Sequence, residues 1–358
     1  EAERKKHQVN LKYYADPGPQ TRIRSVTYSS EQPAIDSLLQ LALQESLLKK
    51  GEPLDLNVYK LEQERISRYL RNQGYAFLYN KSFDQLEVDT FGQAELADLY
   101  LRILPPSTGK EHIRYKIGKV DVYADYSLTN REGGLVSEEM GNRYGLDTIR
   151  DGVHFYYRNP ETAVGARTLL NNLFLRPDDY YSKSDFDKSN QQLGGLGIFR
   201  FVRINQVVDT TDETILHYVV QLTPNAKMEA GVSLDVNYTN RSASLANNLI
   251  GLQLNPTFKN RNLFGGAQLL VANLRAGIEV DPTASGSSGQ FYNTIDLGAD
   301  VSLFLPRFRD VFGIYRGLYR KGRGLLSDRF YNGMKDKAET RFSLGLERLL
   351  ILRYYSYV

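Results

Sequence analysis

Residues 228–239 read MEAGVSLDVNYT (Met228–Thr239). Met228, Ala230, Val232, Leu234, Val236 and Tyr238 are apolar, whereas Glu229, Gly231, Ser233, Asp235, Asn237 and Thr239 are not. Successive side chains of a strand point to opposite faces, so this spacing predicts a strand with one apolar and one wet face. About eleven residues of such alternation also span a bilayer as a tilted strand.

The pattern returns downstream. Ile250, Leu252 and Leu254 alternate with Gly251, Gln253 and Asn255. Leu270, Ala272, Leu274, Ala276, Ile278 and Val280 alternate with neighbours that include Asn273, Arg275 and Glu279. Phe291, Ile295, Leu297, Ala299, Val301, Leu303 and Leu305 do so with Thr294, Asp296, Asp300 and Ser302, and Ala338, Phe342, Leu344 and Leu346 with Arg341, Ser343 and Glu347. The charges in these segments are expected on the polar face. A Lys or Arg facing lipid at mid-bilayer costs about 2–4 kcal/mol. A soluble β-sandwich or lipocalin-like barrel alternates too, so this stretch alone leaves a membrane barrel and a soluble β-fold both open.

Composition narrows the field. The 358 residues leave room for two or three domains, and a net charge of +3 carries no nucleic-acid signature. The absence of cysteine removes disulfides and thiolate metal sites, and the chain has no tryptophan. The 25 tyrosines suit a membrane–water interface and equally an ordinary β-protein. No run of about 18 apolar residues predicts a transmembrane helix. The opening EAERKK lacks a signal-peptide pattern and reads as a mature or truncated start.

Residues 1–225 mix strands and helices in a degenerate repeat. In the first copy a strand over Thr21–Tyr28 precedes a helix from Pro33, with Ile35, Leu38, Leu39, Ala42 and Leu43 on one face. Gly51-Glu52-Pro53 breaks it. A second helix from about Asn57 ends at Asn72-Gln73-Gly74, a strand is expected at Tyr75-Ala76-Phe77, and a last strand precedes Pro105-Pro106. The second copy opens with a strand over Ile113–Leu128. Asn159-Pro160-Glu161 predicts a capped helix through Ala163, Ala166, Leu170 and Leu173, with Arg176-Pro177 as its breaker. A helix past Phe186 and Leu193 to Gly194–Gly197 and two strands complete it. Residues 130–158 read as an insertion in this copy, and residues 8–14 as the last strand of an earlier one.

Tandem β-α-α-β-β units followed at once by alternating strands resemble the POTRA domains and barrel of the Omp85 superfamily. Three matches carry the resemblance: the strand, Pro17-Gly18-Pro19 turn and Arg22-Ile23-x-x-Val26 joint; the helix-Gly-aromatic corner at Leu70–Phe77; and Asn260-Arg261-Asn262-Leu263-Phe264-Gly265-Gly266, which is similar to an early barrel turn. Within the superfamily the long insertion and this turn most resemble the TamA/TamL type of assembly protein of Bacteroidota, with BamA as the close competitor.

The resemblance implies an α+β fold: periplasmic POTRA domains (β-α-α-β-β) followed by an antiparallel transmembrane β-barrel. It implies the tail of a preceding POTRA domain at 1–15, POTRA domains at 16–106 and 107–225, and the N-terminal part of a barrel at 226–358. Sixteen barrel strands are expected in such proteins, and the alternation supplies five or six. Residues 306–337 therefore read as a long loop or a join across missing segments. A TamL-type protein would also carry a lipid-anchoring cysteine before Glu1.

The same resemblance implies an outer-membrane insertase whose first barrel strand, with Glu229, Gly231, Val232, Leu234, Val236 and Tyr238, pairs with client strands by β-augmentation. Asn260, Asn262, Phe264, Gly265 and Gly266 form the early barrel turn. Implied partners are nascent outer-membrane β-barrel proteins, outer-membrane lipids, and a periplasm-spanning TamB-like protein or other assembly subunits. Nucleic acid is not expected. A two-partner-secretion pore is the alternative function.

Enzyme chemistry, cofactors and metals are not expected. His7, His112, His154 and His217 are scattered without HExxH spacing, and Ser285–Gly289 is no nucleophile elbow. Gly194–Gly197 lacks the context of a phosphate loop, and Asp178, Asp179, Asp185 and Asp187 lack calcium-loop spacing. Arg316, Arg320, Lys321 and Arg323 read as a solvated basic loop that could meet lipopolysaccharide phosphates.

Overall fold

The computed structural model describes all residues except 1, 6–7, 15–19, 91, 93–94, 107–108, 128–143, 162, 240–248, 281–291, 311–312, 320–325, 352–354 and 358. The Pro17-Gly18-Pro19 turn, His7, the first part of the expected insertion, Ser285–Gly289, Phe291, and Arg320, Lys321 and Arg323 lie outside the described residues. The chain forms two compact units. One comprises Glu1–Gly118, Asp178–Asp185 and Val208–Leu216; the other comprises Lys119–Pro177, Phe186–Val207 and His217–Val358.

In the first unit β1 (Ala2–Lys5) and β2 (Gln8–Leu11) pair antiparallel. β3 (Arg22–Ser30) leads to α1 (Pro33–Ala42), α2 (Leu56–Asn72), β4 (Glu87–Asp89) and β5 (Leu96–Ile103). The sheet order is β3-β5-β4, with β3 parallel to β5 and β4 antiparallel to it. Pro33 sits at the helix start as its fixed φ favours. The Asp55 carboxylate caps α2 by accepting from the Asn57 amide. The apolar stripes of both helices, Ile35 and Leu39 with Ile66 and Leu70, close on Ile23, Leu99, Leu101 and Ile103 of the sheet.

A bulge between Ile23 and Ser25 sets a polar contact between β3 and the central strand β5. It turns Arg24 onto Asp98, with guanidinium–carboxylate distances of 2.8 and 2.5 Å, and the Ser25 hydroxyl donates to Asp98 at 2.6 Å. These hydrogen bonds hold the Asp98 carboxyl at about 2. Inside the unit, Glu62 accepts from Tyr28, from the Leu47 amide and from Arg65. Burial alone would raise its pKa; the bonds from Arg65, Tyr28 and Leu47 reverse that and leave it below the ordinary value.

The strand expected at Tyr75-Ala76-Phe77 does not form. Gly74 ends α2 in the left-handed region at φ +107, and the chain turns through Ala76 and Leu78. Arg71 holds the Ala76 carbonyl at 3.0 Å, so that group goes to a side chain and not to a sheet. Gly74 is also required by contact, because a Cβ there would lie 2.7 Å from Arg114 Cγ.

The second repeat supplies β6 (Lys116–Tyr123), α3 (Ala166–Leu170), α4 (Lys183–Gly195), β9 (Phe199–Val208) and β10 (Ile215–Pro224). Its strand order β6-β10-β9 repeats the β3-β5-β4 order of the first copy. β7 (Gly145–Arg150) and β8 (Val153–Tyr157) extend the sheet on the far side of β6, where β8 runs parallel to β6 and antiparallel to β7. The described part of the expected insertion is therefore sheet, with Val153, Phe155 and Tyr157 buried.

Two boundaries differ from expectation. The expected first strand is confined to Lys116–Tyr123 of Ile113–Leu128. The helix expected from Asn159-Pro160 starts only at Ala166, with Gly165 as its N-cap, and is five residues long. The Asp125 carboxylate takes the amides of Arg158 and Asn159 at 2.6–2.9 Å, which holds that segment in a non-helical path. At the other end Arg176 takes the carbonyls of Leu170, Leu173 and Leu175.

The alternating stretches form a six-stranded antiparallel meander: β11 (Met228–Thr239), β12 (Leu249–Arg261), β13 (Leu269–Val280), β14 (Tyr292–Leu305), β15 (Thr340–Ile351) and β16 (Tyr355–Tyr357). It is an open sheet among the described residues, with no pairing between β11 and β16. The stretch between β14 and β15 is a single excursion closed by the Leu305–Thr340 pair, and it holds α5 (Ile314–Leu318) and α6 (Asp328–Lys337). Among the described residues no helix is long and apolar enough to cross a membrane, which says nothing of strands.

Candidate functional site

β11 is the edge of the meander. Its twelve residues pair with β12 from Met228–Asn260 to Thr239–Leu249 without a register shift. Among the described residues the opposite edge of β11 meets no strand. A row of backbone N–H and C=O groups along Glu229–Tyr238 is thus presented for pairing.

The two faces of the sheet differ. Val232, Leu234, Val236 and Tyr238 lie on one face, and Leu254, Leu274, Leu297, Val301, Leu344 and Leu346 continue it across the strands. These side chains are open, Val232 at 70% and Leu344 at 79% exposure. A contiguous apolar surface of this kind marks a face meant for a non-aqueous partner.

The opposite face is a polar ladder. Glu229 meets Arg261 at 2.8 Å and Lys259 at 3.5 Å, and Asp235 accepts from Asn255 at 2.6 Å. Asn273 donates to Asp300 at 2.9 Å, and Arg275 lies between Asp296 and Glu347 at 3.2 and 3.0 Å. One charge departs from the expected phase. Arg348 pairs in register with Leu297 and so shares the apolar face, three residues from the end of β15. An arginine near a strand end can reach an interface with its long stem. Gly231 is not imposed by crowding, since a Cβ there would meet nothing within 4 Å.

The turn after β12 is an anchor. Asn262 adopts φ +69, a conformation asparagine tolerates better than most residues. Its amide donates to the Gln268 carbonyl at 2.8 Å, and its side-chain oxygen accepts from Ala267 at 3.0 Å. The Gln268 side chain accepts from Phe264 and Gly266 at 3.3 and 3.1 Å. The turn then binds the segment before α3: Asn262 Nδ2 donates to the Ala163 carbonyl at 3.1 Å, and the Gly165 amide donates to the Gly265 carbonyl at 3.0 Å. Phe264 stands exposed at the tip, while Asn260 is buried with its Oδ1 lacking a hydrogen-bond partner. Arg307, just beyond β14, donates to the Asn171 carbonyl, a second tie to the region of α3.

The structure thus brings Asn262 and Gly265 together with Ala163 and Gly165, which sequence reasoning placed in a plain helix. Gln268 was also missed. Its signal was its position two residues beyond Gly266, where one side chain can satisfy two turn amides. The described histidines serve the backbone or sheet: His112 contacts the Leu104 carbonyl at 2.8 Å, His154 meets Asp121 at 3.0 Å, and His217 accepts from the Lys119 amide at 2.8 Å. No group of three or more His, Asp or Glu side chains among the described residues is arranged to hold a metal ion.

No family model matches the chain, and no curated protein does. Solved structures do. The BamA of Haemophilus ducreyi lacking POTRA domains 1–3 aligns over 92% of this chain and 58% of its own, at 12% identity and a TM-score of 0.40. POTRA domains 3–5 of Haemophilus influenzae BamA align over 57% of this chain and 62% of their own, at 11% identity and a TM-score of 0.35. CdiB from Acinetobacter baumannii aligns over 82% of this chain and 43% of its own, at 11% identity and a TM-score of 0.33. The chain spans less than two thirds of each of these structures. Scores this low do not by themselves place it in a family.

Proposed function

We propose that this chain belongs to an outer-membrane β-barrel assembly factor of the Omp85 type, with its two repeats in the periplasm as POTRA domains. Client strands add to the open edge of β11. The observation behind this reading is the coincidence, on one strand, of an unpaired backbone edge and an exposed apolar face. An unsatisfied backbone group in hydrocarbon costs several kcal/mol, so an incoming strand of about ten residues gains strongly by pairing there. In water each such bond contributes only about 0.5–1.5 kcal/mol. The TamA/TamL type is favoured within the superfamily by the resemblance of the Asn260–Gly266 turn and by the extra residues in the second repeat. A TamB-like partner would then meet the periplasmic repeats, and the chemistry would be strand templating, not catalysis.

Single cysteines along 229–238 test the proposal in a chain that has no other cysteine. Cross-links from both faces of this edge to nascent barrel proteins support it. Cross-links confined to positions on the polar face, and only to a secreted substrate, favour a translocation pore. A protein that partitions as a soluble monomer without detergent removes both.

A further inference from the structure

The excursion between β14 and β15 stands apart from the rest of the chain. Residues 306–339 hold nine Lys or Arg against four Asp or Glu, a surplus of five in a chain whose net charge is +3. The remainder of the protein is therefore slightly acidic, and the basic charge is concentrated in this one segment.

The described part of the segment is folded. Arg309 donates its amide to the Thr340 hydroxyl at 2.7 Å, which fixes its foot to the start of β15. Asp310 accepts from the Arg316 amide at 2.7 Å, and Phe308 meets Tyr315 edge-on at 5.2 Å. Ser327 caps α6 through the Phe330 amide at 3.3 Å. Tyr319 stacks on Tyr331 at 3.9 Å with nearly parallel rings, and the Leu326 amide reaches the Leu318 carbonyl at 3.4 Å, so the two helices form one lobe.

That lobe leaves its apolar side chains uncovered. Ile314 is 57% and Phe330 54% exposed, and Tyr315 and Leu318 are also open. Exposed Arg309, Arg316 and Arg329 accompany them. The meander fixes the lobe's position. It leaves the sheet at the Leu305–Thr340 pair, the end at which β11 begins and at which the Asn262–Ala267 turn lies. Leu303 and Leu305 carry the apolar face of the sheet to its foot.

We propose that this lobe lies on the anionic phospholipid surface of the periplasmic leaflet, with Ile314, Tyr315, Leu318 and Phe330 in the headgroup boundary and the arginines on lipid phosphates. Exposed apolar residues together with surplus basic charge are what binds a helix in a bilayer interface. Continuity with the apolar sheet face selects a lipid surface over a soluble acidic partner. The proposal rests on the sheet being a membrane sheet, and the test separates the two claims.

The chain has no tryptophan, so Phe330→Trp and Leu344→Trp each give a single fluorophore. Each full-length variant is reconstituted in phosphatidylglycerol-containing vesicles and in phosphatidylcholine vesicles, with brominated acyl chains as quencher. Trp at 344 reports the sheet face, and Trp at 330 reports the lobe. Quenching at both positions is expected in anionic vesicles. Quenching at 330 alone should fall in phosphatidylcholine and in Arg316→Glu/Arg329→Glu. Quenching at 344 with a 330 fluorophore that only aqueous iodide reaches overturns the lobe proposal and leaves the membrane sheet standing. No lipid quenching at either position overturns both.

Discussion

The Gly165 amide donates to the Gly265 carbonyl at 3.0 Å, tying the N-cap of a five-residue helix in the second repeat to the turn between β12 and β13. Beside it Asn262 Nδ2 reaches the Ala163 carbonyl at 3.1 Å. Backbone and side chain thus make two adjacent bonds across the same joint, and Asn262 also braces the turn internally through Ala267.

Asn262→Ala removes the side-chain bonds and places alanine at φ +69. The expected loss is about 1–3 kcal/mol from the groups left unpaired. Asn262→Gly keeps the backbone conformation accessible and should recover part of that loss. Urea unfolding of the two variants in the same detergent gives the comparison.

The two faces of β11 predict opposite tolerance. Val232→Arg puts a guanidinium on the apolar face and should cost about 2–4 kcal/mol in a bilayer. Ser233→Arg, one residue on, faces the polar ladder and should change stability by no more than about 0.5 kcal/mol. Folding titrations into lipid vesicles measure the difference, and equal costs would refute the face assignment.

Asp235 and Gln253 are opposite one another in the β11–β12 register. Directly opposed residues of an antiparallel pair are about 4.5–5.5 Å apart at Cα, within disulfide range. Asp235→Cys/Gln253→Cys should therefore cross-link on oxidation. Clients are proposed to enter at the other edge of β11, so the oxidised protein should retain insertion activity. Loss of activity that returns on reduction would mean that the β11–β12 seam itself must open.

Asp98 is held at about 2 against an ordinary 3.8 by Arg24 and Ser25. A depressed folded pKa stabilises the fold fully above the unfolded value, and that contribution disappears as the pH falls towards 2. Glu62 is lowered as well, by bonds that outweigh its burial, and adds to the same acid limb. Asp98→Asn should lower the melting temperature at neutral pH and, relative to the unsubstituted chain, flatten its decline as the pH falls from the ordinary carboxyl value of 3.8 towards 2. Thermal melts across that range decide it.

Periodicity made the meander and α1 and α2 legible, because one face of each element is apolar and the other is not. Pro33 and Gly74 marked helix ends through their own backbone restrictions. Two of the misses share a feature, which is that a side chain took a backbone group. Asp125 claims the amides at Arg158 and Asn159 from more than thirty residues away, and the helix expected there has Gly165, not Asn159, as its N-cap. Arg71, only five residues away, takes the carbonyl of Ala76. Arg348 escaped notice because the strand runs past the last clear alternation to Ile351. At the candidate site the edge strand could be read from its pattern. The partners of its turn, Ala163 and Gly165, could not, since nothing local distinguishes a carbonyl that will be used from one that will not.

The hairpin of β7 and β8 has a consequence for the two repeats. In the first, the outer side of β3 beyond its start meets no further strand among the described residues. In the second, the equivalent side of β6 is already taken by β8, a strand from the same repeat. The duplicated module has therefore diverged by self-occupancy: among the described residues, one copy covers with its own polypeptide the strand edge that its twin leaves without one.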